Sequence, residues 1–373
     1  MQKKVLHILD LYKEFINIIS QDLEFKDKSY NEIVAKILKN KYSWSDILEK
    51  ENPNLKFYYA FPNFKDLQEK WRLENIKCKN LNSNEIFLNQ LNTIKPDLIF
   101  FQSTITLKKI IKNLNYKYIF WDGTNLQDLK LAKKSEMVLT NIENAYLFYK
   151  KHNIKTEIID HFFDERVLDK IDINQKKIYN IIFIGSVTNK NHFYRSIFLY
   201  ELSKIFKIDF FLGEKNSYLR IFLITLYNFI INRNNFVKCI KYIQSQLFLN
   251  KNKAKLYYGL EMYNLIAKSK IVLNYHIDSG KGNNMRVFET TGVQTCLFTN
   301  GKYSLEKYFD CEKDIVCFNN LEDAKEKLKN LINNEETIKQ ISKNGQIATL
   351  TKNTFRNRKI IFSKVFLNIL KFK

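Results

Sequence analysis

The chain has 373 residues, more than one hydrophobic core usually serves, so two domains are expected. Hydrophobic residues make up 45%, with 30 Phe and 21 Tyr, which excludes a disordered chain; 9 Gly and 3 Pro exclude collagen-like and turn-dense all-β chains. A formal charge of +22 points to an acidic partner, yet only eight of the 61 basic residues are Arg, and the excess of Lys, Asn, Ile, Phe and Tyr is what an AT-rich coding sequence yields. Readers of nucleic acid use the planar fork of Arg. No zinc-finger or RRM pattern is present, so nucleic acid is not an expected partner, while anionic phospholipid stays open.

Apolar runs predict strands at 5–9, 57–60, 97–101, 118–121, 137–140 and 157–159, with helical periodicity between them, including 64–74 and 105–114. The alternation continues after a polar, Lys-rich stretch near 164–177. Strands are predicted at 179–184, 209–212, 271–274, 295–298 and 315–318, and helices at 192–205, 259–267, 321–332 and 335–350. Strands that are apolar throughout, alternating with helices, predict an α/β fold with parallel sheets covered on both faces. The division is 1–164 and 165–373, the second part carrying an insertion at 214–255. That insertion holds the apolar run IFLITLYNFII at 221–231 followed by a basic amphipathic stretch. It reads as a helical hairpin packed on its own domain, or as an interfacial helix that touches a membrane.

The five cysteines show no CxxC pair and no metal-ligand spacing, which predicts free thiols and no metal site. The opening MQKKVLHILD enters a strand without a signal-like apolar segment, and no window approaches the ~18 unbroken apolar residues of a membrane span. The expectation is a cytoplasmic protein.

Ligands of open parallel sheets gather at the carboxyl ends of strands. After the strand at 179–184 come Gly185 and Ser186, then His192 and Arg195 at a helix start. A glycine permits close backbone approach, while the helix N-terminus and Arg195 offer N–H donors and positive charge, which together suit a diphosphate. The second constellation is KSKIVLNYHIDSGKGNNMRVFETTG. Its strand ends at His276, a polar glycine-bearing loop follows, and a helix opens near Asn284–Arg286 carrying Glu289. Arg286 and Glu289 share a helix face: they form a solvated ion pair, or Arg286 clamps a diphosphate while Glu289 accepts from ribose hydroxyls. Asp122, ending the strand YKYIFWD, is either a catalytic base or the cap of a turn ahead of Asn125.

The stretches FIGS with HFYR, GLEMYNLIAKSKIVLNYH, NNMRVFETTG and ISKNGQIATLTKNTFRNR resemble, in order and spacing, the donor domain of the group 1 glycosyltransferases, in the branch of the spore protein CgeB. DLQEKW, KPDLIFFQ and HFFDERVL extend the resemblance to the first half. The resemblance implies a GT-B fold, two Rossmann-like domains facing across a cleft, with a last helix at 354–372 crossing back to the first. It implies a nucleoside-diphosphate sugar as donor, held by the second domain through Gly185, Ser186, His192, Arg195, Asn284, Arg286 and Glu289. It implies a saccharide or lipid-linked glycan acceptor on the first domain, bacterial surface glycan as product, and no metal or other cofactor. Peripheral contact with the inner face of the plasma membrane fits the basic charge. Asp122 and His276 are the candidate catalytic residues. Many group 1 enzymes carry two glutamates eight positions apart; Glu289 fits the second, but the first falls at Lys281, so retaining stereochemistry is not implied. His276 and Lys281 are the groups left to face the sugar or its phosphates. The rival to transfer is a catalytically inactive basic scaffold that binds a membrane or nucleic acid.

Overall fold

The computed structural model describes residues 2–22, 25–77, 81–213, 215–277 and 283–371. Glu214, Cys78, Phe372, Lys281 and the rest of the 278–282 loop lie outside them. The chain forms two compact units: residues 1–164 with the C-terminal helix, and residues 165–277 with 283–354.

The first unit is built on six parallel strands: β1 (Lys3–Ile8), β2 (Leu55–Ala60), β3 (Leu98–Phe101), β4 (Tyr118–Asp122), β5 (Met137–Thr140) and β6 (Thr156–Ile158). Their order is β2-β1-β3-β4-β5-β6. Successive side chains of a strand point to opposite faces, and here both faces are buried. Leu6, Ile8, Ile99, Phe101 and Phe120 pack on one side against Phe87 and Leu91 of the helix Ser83–Ile94. Val5, Phe57, Leu98, Phe100 and Ile119 pack on the other.

That second face is closed by the end of the chain. The helix Phe355–Ile369 presents Phe355, Phe362, Val365 and Phe366 as one apolar stripe, and all four are buried against the first sheet. Trp44 is the anchor: its ring centroid lies 4.3 Å from Phe362, 4.8 Å from Phe355 and 5.5 Å from Phe162. Asn52 donates through Nδ2 to Ser363 Oγ at 3.1 Å, and Lys359 pairs with Glu51. The final helix, counted with 165–373 in the sequence division, thus completes the core of the first unit.

The second unit repeats the plan with β7 (Tyr179–Gly185), β8 (Asp209–Leu212), β9 (Lys253–Lys255), β10 (Ser269–Asn274), β11 (Cys296–Thr299) and β12 (Val316–Cys317), all parallel, in the order β12-β11-β10-β7-β8-β9. β9 was not predicted. Its sequence Lys-Ala-Lys carries no apolar run, and it exists because β8 offers a free edge whose backbone groups need partners; lysines suit such an edge. The insertion is a hairpin of helices Tyr218–Ile230 and Phe236–Asn252, capped by Ser217 and Asn235. Ile221, Ile224, Cys239 and Tyr242 pack on Phe193, whose ring stacks on Tyr242 at 4.7 Å. Among the described residues no helix is long and apolar enough to cross a membrane.

One expectation fails in this unit. Cys311 and Cys317 form a disulfide across a Cα–Cα distance of 5.6 Å, so among the described cysteines the prediction of free thiols holds for Cys239 and Cys296, both buried, and fails for this pair. A turn that bridges Cys311 to Ile315 brings the pair together, and CxxC spacing rules do not register it.

Truncating Phe362 would leave a void beneath Trp44 and Phe355. We expect Phe362→Ala to cost about 3–5 kcal/mol of stability, read from denaturant unfolding followed by Trp fluorescence. A loss below about 1 kcal/mol would mean that the helix is not part of the core.

Candidate functional site

β7 runs first to β8 and β9 on one side, and the chain then returns to place β10 on its other side. The strand order therefore reverses between β7 and β10, and the crevice beyond their carboxyl ends is where open sheets take ligands. Four of the predicted residues meet at this point: Gly185 and Ser186 leave β7, Arg195 stands on the following helix, and His276 leaves β10.

Arg195 joins the two strand ends. Its Nε and Nη2 donate to Tyr275 O at 3.2 and 2.7 Å, and Nη1 donates to Ser186 O at 3.0 Å. Among the described residues no carboxylate pairs with it. Burial lowers its pKa to about 10, so it stays charged at neutral pH. A guanidinium has five N–H groups, so two remain. A partly desolvated cation held, among the described residues, by neutral carbonyls alone is a group that an anion would complete.

The neighbouring histidines report the same field. Burial, with Arg195 second, pushes His276 down to about 4, and burial followed by Arg195 and Arg220 pushes His192 down to about 3. Both imidazoles are neutral near pH 7. His192 spends Nδ1 on a hydrogen bond from Asn189 N at 3.2 Å in the helix-capping turn. His276 is held through its backbone: its N–H donates to Asn300 Oδ1 at 2.5 Å, and Asn300 Nδ2 donates to His276 O at 3.1 Å. Gly301, at φ +85°, lies under the ring, where a Cβ would meet His276 Cδ2 at 3.1 Å. His276 Nε2 is buried without a partner among the described residues.

The helix Met285–Gly292 opens beside this point, with Asn284 as its cap residue. Asn284 makes no side-chain cap; its Nδ2 donates to Asn274 Oδ1 at 3.1 Å, while its own Oδ1 is buried and unpartnered. Asn274 in turn donates to Thr299 Oγ1 at 2.9 Å. Arg286 and Glu289 pair with each other at 2.8 Å, and their side chains are only 16% and 11% exposed. Arg286 Nη1 also reaches Met262 Sδ at 3.0 Å, and its Nε has no partner. The pair is therefore buried rather than solvated. Orphaned polar atoms on His276, Asn284 and Arg286 make this crevice a place that a polar ligand would satisfy.

Asp122 belongs to a different setting. It is 1% exposed, Oδ1 accepts from the N–H groups of Thr124 and Leu126, and Oδ2 accepts from Gln127 N and Tyr149 Oη. Four donors commit the carboxylate to a turn. It also ends β4, whereas strand order in the first unit reverses between β1 and β3. The carboxylate beyond β1 is Asp10, half-buried, accepting from Thr106 Oγ1 at 2.6 Å and Thr106 N at 3.3 Å. Sequence reasoning passed over it, although HILD places an acid two residues after the first strand. It also passed over Asn300 and Gly301, visible as the Asn-Gly that follows β11.

A cavity of about 380 Å³ lies at the opposite end of the second sheet, lined by Lys177, Lys270, Lys339 and Lys343. Burial lowers Lys177 to about 8. It faces the amino ends of the strands, away from the switch point.

A family model described as glycosyl transferase-like matches residues 238–361, about a third of the chain. No curated protein matches the sequence. Solved structures match over nearly the whole chain. The Anabaena protein HepE, in complex with UDP-glucose, aligns with a TM-score of 0.58 at 8% identity, covering 98% of this chain and 99% of that one. Sucrose-phosphate synthase from Thermosynechococcus elongatus aligns at 0.56 and 7% identity, over 99% and 100%. A glycosyltransferase from Rickettsia africae aligns at 0.52 and 11% identity, over the full length of both chains.

The fold is GT-B.

Within this GT-B fold the residues 238–361 contain β10, the helix Met285–Gly292 and β11, so the family match covers the β10 side of the switch-point crevice, and Gly185, Ser186 and Arg195 lie outside it. Two outcomes are expected there. Glu289→Ala leaves Arg286 as an uncompensated buried charge and should cost about 3–5 kcal/mol in chemical denaturation, while the double change to Arg286→Met, Glu289→Leu should recover most of it. His7, fully buried and lowered to about 3, and His276, lowered to about 4, are neutral in the folded chain, whereas an unfolded His titrates near 6.5. The unfolded chain binds more protons below that value, so thermal stability should be full above about pH 6.5 and fall as pH drops towards 4. His276→Gln should flatten part of that slope; an unchanged slope would place the imidazole in solvent.

Proposed function

We propose that this chain is a glycosyltransferase that moves a sugar from a nucleoside-diphosphate donor to a saccharide or lipid-linked acceptor. The observation that carries the reading is Arg195: a half-buried guanidinium, fastened by two backbone carbonyls at the topological switch point, with no carboxylate paired to it among the described residues. Its two remaining N–H groups and the adjoining helix N-terminus would take the diphosphate. His276 Nε2 and Asn284 Oδ1 would take sugar or ribose hydroxyls, and Arg286 Nε a phosphate or hydroxyl oxygen. Glu289 would act through Arg286, which it holds in place.

In the reaction, the bond from the anomeric carbon to the β-phosphate oxygen breaks and a bond to the acceptor oxygen forms. Nucleoside diphosphate leaves, and the acceptor proton passes to a base. Fixed positive charge on the departing diphosphate lowers the barrier without a change in protonation. Arg195 supplies it, which makes metal-independent transfer the simplest form of the reading. Asp10, rather than Asp122, is the carboxylate we propose as base, because strand order in the first unit makes the end of β1 its ligand crevice. The motif order supports the CgeB-like branch of group 1, a bacterial surface glycan as product and a cytoplasmic site of action. That HepE and its UDP complexes share the fold supports a nucleotide-sugar donor and makes UDP the first ligand to try.

A thermal-shift series with UDP, GDP and ADP tests the donor site; a ligand at 100 times its Kd should add about 2.7 kcal/mol of stability. Arg195→Met should weaken the nucleoside diphosphate by about 1.5–3 kcal/mol, the scale of a hydrogen bond to a charged group, and leave the nucleoside little changed. Equal losses for both ligands would make Arg195 a structural tie alone. Asp10→Asn should retain nucleotide binding and lose release of nucleoside diphosphate from the sugar donor. If no nucleotide binds and no diphosphate is released, the chain is the basic scaffold instead.

A further inference from the structure

The hairpin inserted between β8 and β9 buries one face and leaves the other bare. In the helix Tyr218–Ile230 the buried positions are Ile221, Ile224 and Asn228, spaced three and four apart along one face. Most of the rest is apolar. Leu219, Phe222, Leu223, Leu226, Phe229 and Ile230 are between 40% and 68% exposed. At 100° per residue Phe222, Leu226 and Phe229 lie on one line, with Leu219, Leu223 and Ile230 beside it, so the outer face is a continuous apolar stripe. The second helix repeats the pattern: Phe236, Ile240, Ile243 and Leu247 are 37–69% exposed and share one line. Scattered exposed apolar side chains are ordinary on a protein surface, whereas two stripes on consecutive helices form a patch.

The charge around the stripes selects the partner. Between residues 215 and 260 there is no Asp or Glu, while eight residues are Lys or Arg. A protein partner built to cover aliphatic and Phe side chains needs no such exclusion of acid. An anionic lipid surface does, because it repels carboxylates and attracts cations over a Debye length. The first helix has 13 residues, about 20 Å at 1.5 Å per residue, against a hydrocarbon thickness of roughly 30 Å. It is too short to span and is built to lie flat.

We propose that this hairpin docks the enzyme on an anionic bilayer surface, with Phe222, Leu226 and Phe229 entering the headgroup–acyl boundary and Arg220, Arg233 and Lys238 meeting lipid phosphates. The inference stands on the hairpin alone and holds whether or not the chain transfers sugar. It also joins the two readings of the insertion: one face packs on its own domain and the other is a membrane face.

Flotation with vesicles of phosphatidylcholine, with and without phosphatidylglycerol, tests it on the full chain. The intact protein should float with the anionic vesicles, less at high salt, and not with phosphatidylcholine alone. Phe222→Ser, Leu226→Ser and Phe229→Ser together should lower the affinity by about a hundredfold or more, because three large apolar groups no longer enter the interface. Arg233→Gln with Lys238→Gln should lower it less and reduce its salt dependence. All these side chains are exposed, so the melting temperature and nucleotide binding should stay unchanged, which separates this test from that of the donor site. The proposal is overturned if the intact chain fails to float with anionic vesicles, or if the triple serine variant floats as well as the intact chain. It is equally overturned if light scattering shows a dimer that the triple variant converts to a monomer while vesicle binding is absent.

Discussion

The second unit is organised around the half-buried guanidinium of Arg195. Arg195 takes the carbonyls of Ser186 and Tyr275, the residues that leave two neighbouring strands, and so fixes how the chain departs from each. Removing a guanidinium from water is costly, and neutral carbonyls offset only part of that cost. What remains is a positive field at the point where strand order reverses. Burial first and this field second depress the basicity of His192 and His276, and the clamp of Asn300 on His276 holds the second imidazole in place.

The two sheets solve the same problem of double burial in different ways. In the first, one face is completed by the last helix of the chain, whose Phe355 and Phe362 lock under Trp44. In the second, the edge of β8 is completed by the three-residue strand β9, and a helical hairpin packs on the helix Phe193–Ser203. The hairpin spends one face on this packing. Its other face stays apolar and faces solvent, which a surface serving solubility alone would not retain.

Arg286 and Glu289 show how a site residue changes meaning with burial. A pair three apart on a helix is usually a solvated contact worth a few tenths of a kcal/mol. Here both side chains are nearly covered, so each depends on the other and neither is free to take a ligand with its full charge. Arg286 Nε remains, and with it the ability to bind without breaking the pair.

Much of this molecule is written locally. The apolar runs of β5 and β8 and the helices Gly259–Ala267 and Leu321–Ile332 have the limits that their periodicity predicts, because each is a continuous pattern with clear polar borders. Gly185 and His276 could be placed at strand ends, and Arg195 and Asn284 at helix starts, for the same reason. The sequence could not say that Asp122 is consumed by four donors, three of them from the turn that follows it and one from Tyr149 further along the chain. Nor could it show that β9 forms from Lys-Ala-Lys, that Cys311 meets Cys317, or that Arg195 is held by the carbonyls of Ser186 and Tyr275. These features depend on what lies beside a residue in space. Local pattern determines which segments become strands and helices; burial and partners arise only when distant segments pack, and they decide which charges are spent and which are left for a ligand.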